Sequence, residues 1–467
     1  MKTLRIAILP LFGMPNYTHD SNFRVYMDII KTANRLKLPI HFYYCLPEIT
    51  DSLEKLPNVT YVPVDMELRD FYGEMGRVPK EMHSLFSRKG GKYIIDAVFT
   101  SRTMAIDALS STLADNRRDE IMPVHLFDPL VRVDSTTNKD IRKAMAFGYS
   151  KSHNWFLNEN EMNKALLECR NWLSPTLYLE AKERSYVRGL PLAIKEIDEI
   201  VSKTPKHSKF RAFWGARMSA EKNPQLTAEF MEKLNSSGRD VDLVMTTQAM
   251  SPKLVKAVKE NLKGSVTEIQ TGCARPVFLE LVASSHMFLC SSRVEGFPVG
   301  FMEQLYAIGI GIFPNNDWVK KLLPKDYPFI YKNNTEAHTM IRYIFENYDK
   351  AYEEAKWIKD WLRENFNEER IVNSFYETLE NSIQDNNDFI SNLGSFKKIT
   401  QQALDSLGDE FSYEELIKFI EDTAETWKAK KIKYLGAPSV YEIHKYVLEA
   451  GYIDTCDNKQ PYYKKIK

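Results

Sequence analysis

The chemistry-bearing residues of this 467-residue chain gather in two short stretches. One is Ser291-Ser292-Arg293-Val294-Glu295-Gly296-Phe297-Pro298-Val299-Gly300-Phe301-Met302-Glu303, which follows the apolar run Met287-Phe288-Leu289-Cys290 and leads into Gln304-Leu305-Tyr306-Ala307-Ile308. That order reads as buried strand, turn and helix. Gly296, Pro298 and Gly300 give a tight turn and let a ligand come close to the backbone. Glu295 stands before the turn and Glu303 inside the helix, so two carboxylates flank a helix start whose N–H groups favour an anion. A polyhydroxy ligand carrying phosphate suits such a place.

The other stretch is Phe213-Trp214-Gly215-Ala216-Arg217-Met218-Ser219-Ala220-Glu221-Lys222-Asn223-Pro224. A strand ends at Gly215, and Arg217 and Lys222 follow before a helix starts near Pro224. The planar fork of an Arg and the point charge of a Lys together clamp a diphosphate. Taken alone, the pattern is weak and fits a solvated loop with incidental charges better.

The elements that must position these residues alternate between strand-like and helix-like. Strands are expected at 5–11, 40–46, 94–100, 123–127 and 172–174, with helices at 21–36, 104–113 and 177–186. Residues 191–209 are polar, lysine-rich and contain Pro205, and read as a connection. A second rhythm follows, with strands at 210–214, 241–246, 266–270 and 287–290 and helices at 224–234, 253–262 and 277–283. The pattern predicts an α/β chain of two Rossmann-like lobes, 1–200 and 205–385, with ligands in the crevice at the carboxyl ends of the strands. Residues 348–385 are helix-rich and would close the second lobe.

Composition sets the frame. The chain is 43% apolar and 27% charged, as soluble globular proteins are. Lys plus Arg and Asp plus Glu both total 63, so no global field points to a polyanionic partner. Cys45, Cys169, Cys273, Cys290 and Cys456 are scattered and lack metal spacing, which fits reduced thiols in the cytoplasm. Residues 1–12 imitate a signal peptide, but no cleavage site follows and a first core strand explains them better. No stretch approaches the roughly 18 apolar residues of a membrane span.

Together the two stretches carry a resemblance. Strand, Gly-x-Arg-x4-Lys, and later Glu-Gly-Phe-x5-Glu before a helix resemble the retaining GT-B glycosyltransferases of family 4. The likeness covers residues 1–385 in architecture and about 205–312 in motif. The resemblance implies a nucleotide-sugar donor, with UDP the commonest carrier in the family. Arg217 and Lys222 would bind its diphosphate beside Gly215. Glu303 would accept from the ribose hydroxyls. Glu295 would contact the sugar, helped by backbone N–H groups around Phe297 and Pro298, with Gly296 also at the donor. Arg275 lies in the loop where the base is usually held, and Gly13 in a first-lobe loop that lacks the family's Gly-Gly pair. His125 is the best match to the family's first-lobe histidine, with a core histidine as the alternative; His19 and His153 match less well. Family members are thought to react by front-face attack, the leaving phosphate taking the acceptor's proton. Asp240-Val241-Asp242 precedes a strand instead of following one, unlike the Asp-x-Asp metal site of the other large glycosyltransferase fold. No essential metal or other cofactor is expected.

The acceptor must be sought at the other end of the chain. Asn386-Asn387-Asp388 reads as a break before a module at 390–467, with helices at 413–428 and 439–450 and a two-stranded wing at 452–454 and 460–466. Nine lysines against four acids lie between Lys428 and the end, interleaved with tyrosines. Lys428, Lys430, Lys431, Lys433, Lys445, Lys464 and Lys465 are the candidate contacts to nucleic acid, as in a basic winged helix. Joined to a sugar-transferring core, the module suggests a DNA glycosyltransferase like those bacteriophages use on hydroxymethylated pyrimidines. A cell-surface or lipid-linked glycan, a small-molecule acceptor and an inactive core in a nucleic-acid-binding protein stay open, as does dimerisation through the module; the oligomeric state is not legible.

Overall fold

The computed structural model describes residues 2–10, 17–19, 21–64, 85–87, 92–101, 103, 106, 123–128, 131, 138–247, 255–256, 258, 260, 266–293, 295, 298–412, 414–416, 418–419, 447–448, 450–454 and 462–465. Gly13, Gly296, Phe297 and the expected helix at 104–113 lie outside these residues, apart from Ile106. So do most of the expected helix at 253–262 and Lys428, Lys430, Lys431, Lys433 and Lys445.

Seven parallel strands form the first sheet, in the spatial order Val59–Pro63, Ile40–Leu46, Leu4–Leu9, Ala97–Thr100, Val124–Phe127, His153–Phe156 and Ser185–Val187. Their apolar runs are those of a parallel sheet covered on both faces, with Ile6, Ile8, Phe42, Phe99 and Leu126 fully buried. The expected strand at 172–174 is not one. Trp172 ends the helix Glu159–Trp172, and Ser174 caps the next, Pro175–Glu183, its Oγ accepting from the N–H of Leu177. Two bulky residues, Trp172 and Leu173, beside a serine imitate a strand when the periodicity leading into them is missed. The strands His153–Phe156 and Ser185–Val187, which were not foreseen, complete that edge.

Six parallel strands form the second sheet: Val266–Thr271, Asp242–Thr247, Arg211–Gly215, Met287–Leu289, Gly311–Pro314 and Ile330–Tyr331. The order reverses between Arg211–Gly215 and Met287–Leu289, which pair directly through Ala212 with Met287 and Phe213 with Phe288. Both chemistry-bearing stretches leave from the carboxyl ends of these two strands, at the switch point where such sheets hold ligands. The polar segment 191–209 is more than a connection. Its residues Ile194–Lys203 form a helix whose apolar stripe, including buried Ile194 and Ile197, packs on the helices Arg275–Ser284 and Val299–Ile308.

The chain then crosses back. A 40-residue helix, Glu368–Leu407, runs straight through Asn386-Asn387-Asp388, so the expected break is absent. Its first half packs on the first lobe, correcting the expectation that everything to residue 385 closes the second. The Phe375 ring lies 4.7 Å from those of Phe99 and Trp155. Glu368 ties the two crossings together: it pairs with Arg35 of the first lobe at 3.2 Å and accepts from the N–H groups of Ile194 and Lys195 at 3.3 Å. The far end of the helix enters a small separate core with Phe411, Leu416, Val447, Tyr452 and Tyr463. The expected wing strands pair there as Tyr452–Asp454 and Tyr462–Lys465, and an unforeseen third strand, Glu410–Ser412, joins the other side of Tyr462–Lys465. Among the described residues no helix is long and apolar enough to cross a membrane.

Candidate functional site

The two stretches are fastened to each other below the crevice. Ser291 Oγ donates to the carbonyl of Lys222 at 2.8 Å, while Trp214 Nε1 and Thr227 Oγ1 lie 3.2 and 3.0 Å from the same Oγ. The N–H of Arg293 donates to the carbonyl of Glu221 at 2.8 Å. Between the stretches, Gln304 Nε2 donates to the carbonyl of Gly215 at 3.0 Å. Gly215 is required by space: a Cβ there would stand 2.7 Å from Cε1 of the buried Phe213 ring.

This bracing brings Lys222 onto Glu295. Lys222 ends the short turn Ala220–Lys222, and Asn223 then adopts a left-handed conformation (φ 49°) that turns the chain into the helix Pro224–Ser236. The ammonium pairs with Glu295 Oε2, both side chains being buried, at 11% and 7% exposure. The other oxygen, Oε1, is buried and has no hydrogen-bond partner among the described residues. Arg217 stands outside, half exposed, 3.5 Å from Glu221 Oε1. Pro298 precedes the helix Val299–Ile308, whose amino end has no side-chain cap. Lys222 and Glu295 are thus paired beneath the carboxyl ends of the two strands, with Arg217 and the uncapped helix start leaving the same ends.

Glu303 is fully buried and engaged across the seam between the lobes. Arg24, on the first-lobe helix Ser21–Arg35, places Nη2 2.5 Å from both carboxylate oxygens. Arg275 Nη1 adds a bond to Oε1 at 2.9 Å and turns Nε toward Glu196 at 2.7 Å. Burial would push the Glu303 carboxyl up, but the two guanidiniums hold it below the ordinary range. Nearby Asp28 is pushed up to about 6 by burial, despite Arg275 and Arg24. Arg24 and Asp28 were missed in the sequence because neither belongs to a local pattern; their partners are brought in by lobe docking alone.

His125 is in the wrong place for an acceptor base. It is fully buried in its strand, with Nε2 2.8 Å from Ser382 Oγ and its ring stacked on His153 at 4.8 Å. Burial holds it well below its ordinary value, so it is a neutral core histidine. His153 is likewise pushed down to about 3 by burial. His19 closes the short turn Tyr17–His19. Asp240 and Asp242 lie at the amino end of their strand, where both pair with Lys209. At the chain's end Lys464 pairs with Glu410 at 2.5 Å and Lys465 lies over the Tyr452 ring. A cavity of about 360 Å³ lies elsewhere, lined by Arg188, Lys321, Trp361 and Arg370 near the crossings, and none of the motif residues line it.

No protein-family model matches the chain, and no curated protein matches it in sequence. Solved structures share its fold. A glycosyltransferase from Rickettsia africae is 15% identical with a TM-score of 0.60, matching 82% of this chain and 99% of its own. Sucrose-phosphate synthase from Thermosynechococcus elongatus is 12% identical with a TM-score of 0.58 and the same coverage. HepE of Anabaena, solved with UDP and glucose, is 13% identical with a TM-score of 0.53, over 81% of this chain and all of that one. The chain therefore has the GT-B fold, two parallel α/β lobes facing each other, with a helical C-terminal region beyond them.

Proposed function

We propose that this protein is a retaining glycosyltransferase using a nucleotide sugar, most simply a UDP-sugar, and no essential metal. The observation that carries the reading is the Oε1 of Glu295, without a partner among the described residues, beside the Lys222 ammonium at the switch point of the second sheet. A buried carboxylate oxygen without a donor is costly unless a ligand hydroxyl completes it. A sugar hydroxyl does so, while Lys222, Arg217 and the open amino end of Val299–Ile308 face the diphosphate and offset the charge that grows as it leaves. The anomeric carbon exchanges its bond to phosphate oxygen for one to the acceptor oxygen on the same face, and the phosphate takes the acceptor's proton. With His125 buried, no first-lobe histidine is assigned to that proton. The Anabaena relative by fold, solved with UDP and glucose, supports this class of donor.

For the acceptor we propose a hydroxymethylated pyrimidine in DNA, held by the C-terminal module. The antiparallel sheet Glu410–Ser412, Tyr462–Lys465, Tyr452–Asp454, with helical residues between its first and second sequence strands, supports a winged-helix reading. The test is to incubate the protein with several nucleotide sugars and hydroxymethylated DNA, with and without chelator, and analyse the nucleosides by mass spectrometry. A sugar-sized mass increment that survives chelation is expected. Transfer to a lipid-linked glycan or a sugar phosphate, with none to DNA, would overturn the acceptor and leave the donor reading standing.

A further inference from the structure

The seam between the lobes holds a charged cluster whose pairing is incomplete. Arg24 and Asp28 lie one turn apart on the same helix, so their side chains share a face. Glu303 meets Arg24 from the other lobe, with Arg275 and then Glu196 behind it. Arg24 Nη2 covers both oxygens of Glu303. Yet Arg24 Nε and Asp28 Oδ2 are both buried and both lack a hydrogen-bond partner among the described residues. An unused donor and an unused acceptor on one helix face, each inside the same cluster, mark a second resting place for the guanidinium.

We propose that Arg24 is an internal competitor for the donor's ribose: it occupies Glu303 in the empty protein and moves onto Asp28 when the vicinal diol takes the two oxygens. This rests on the donor reading, in which Glu303 receives the ribose hydroxyls. Its consequence is thermodynamic. Binding is weakened by the fraction of molecules in which Glu303 is free of Arg24, and Asp28 sets that fraction by stabilising the displaced position. The diphosphate end of the donor, which meets Lys222 and Arg217 and not Glu303, is untouched by this competition. Removing a cation near an anionic ligand ordinarily weakens binding; here removal strengthens it, and only for a ligand with a ribose.

Calorimetric titration of the full chain with UDP and with inorganic pyrophosphate tests this. Arg24→Gln, which is shorter but keeps the aliphatic stem and a neutral donor, guards against misfolding of Arg24→Ala; both are checked by thermal melting. Each is expected to bind UDP about fivefold or more tightly than the unaltered protein, with pyrophosphate unchanged. Asp28→Asn is expected to weaken UDP about threefold, and to have no such effect in the Arg24→Gln background. Weaker or unchanged UDP binding in the Arg24 variants overturns the proposal, as does an Asp28 effect that persists without Arg24. Should the unaltered protein and all variants bind pyrophosphate but no nucleoside diphosphate, the donor reading itself falls, which is a different result.

Discussion

Lys222 and Glu295, carried by loops from two neighbouring strands, form a buried ion pair in which one carboxylate oxygen has no partner among the described residues. Such a pair is poor support for stability but a sensitive reporter, because removing one member strands the other.

Lys222→Ala should therefore cost about 3–5 kcal/mol in urea unfolding. The double variant Lys222→Ala/Glu295→Ala should recover a large part of that. Sugar transfer behaves differently: each single variant is expected to lose about 10²–10³-fold, and the double variant should not recover it. Recovery of turnover along with stability would mean the pair is only structural.

Ser291 joins the two stretches by donating to the carbonyl of Lys222 while receiving Trp214 and Thr227. Ser291→Ala leaves these buried groups short of partners and should destabilise by about 1–3 kcal/mol. Nucleotide binding measured on the folded variant should weaken too, since the loops lose their common anchor.

Gly215→Ala puts a methyl against the Phe213 ring and 3.0 Å from Gln304 Nε2. The overpacking should cost about 1–3 kcal/mol in chemical denaturation. It should also loosen the bond from Gln304 to the Gly215 carbonyl and raise the KM for donor in the folded variant.

How much of this could be read in the sequence depends on the range of the interaction. Gly215, Arg217, Lys222, Glu295 and Glu303 were legible because strand, turn and helix start are local, and the resemblance joined the two stretches. The partner of Glu303 was not: Arg24 sits in an ordinary amphipathic helix of the other lobe. His125 looked chemical because it stands in a strand near Asp128; its hydrogen bond to Ser382 depends on a helix that returns from far along the chain. That helix was itself read as broken at Asn386-Asn387-Asp388. Poor helix formers bend propensity only slightly, and packing at both ends of Glu368–Leu407 outweighs them.

Acid should act on the fold through opposed groups. His153 and His286, pushed down to about 3 and about 4 by burial, and the buried His125, stay neutral in the native state. Their folded values lie below the unfolded one, so stability is full above about pH 6.5 and falls as the unfolded chain takes up protons below it. Asp28 has the opposite sign. Its raised folded value gives stability that is present below about pH 4 and lost as pH rises through about 6, with Arg24, Arg275, Glu196 and Glu303 facing it. Asp28→Asn should thus raise the melting temperature at pH 8 and steepen its decline below pH 6. A parallel shift of the whole curve would show that Asp28 does not titrate in this window.

The helix Glu368–Leu407 has one end built into the core of the first lobe and the other into the core of the C-terminal module. At 1.5 Å per residue it is a rod of about 60 Å. The two crossings between the lobes meet beside its start, where Leu192 and Asn367 form a parallel bridge. The module is therefore held on a ruler: the length of the helix sets how far it stands from the first lobe's core. Lengthening the rod by four residues would carry the module about 6 Å farther out and turn it by about 40° about the helix axis.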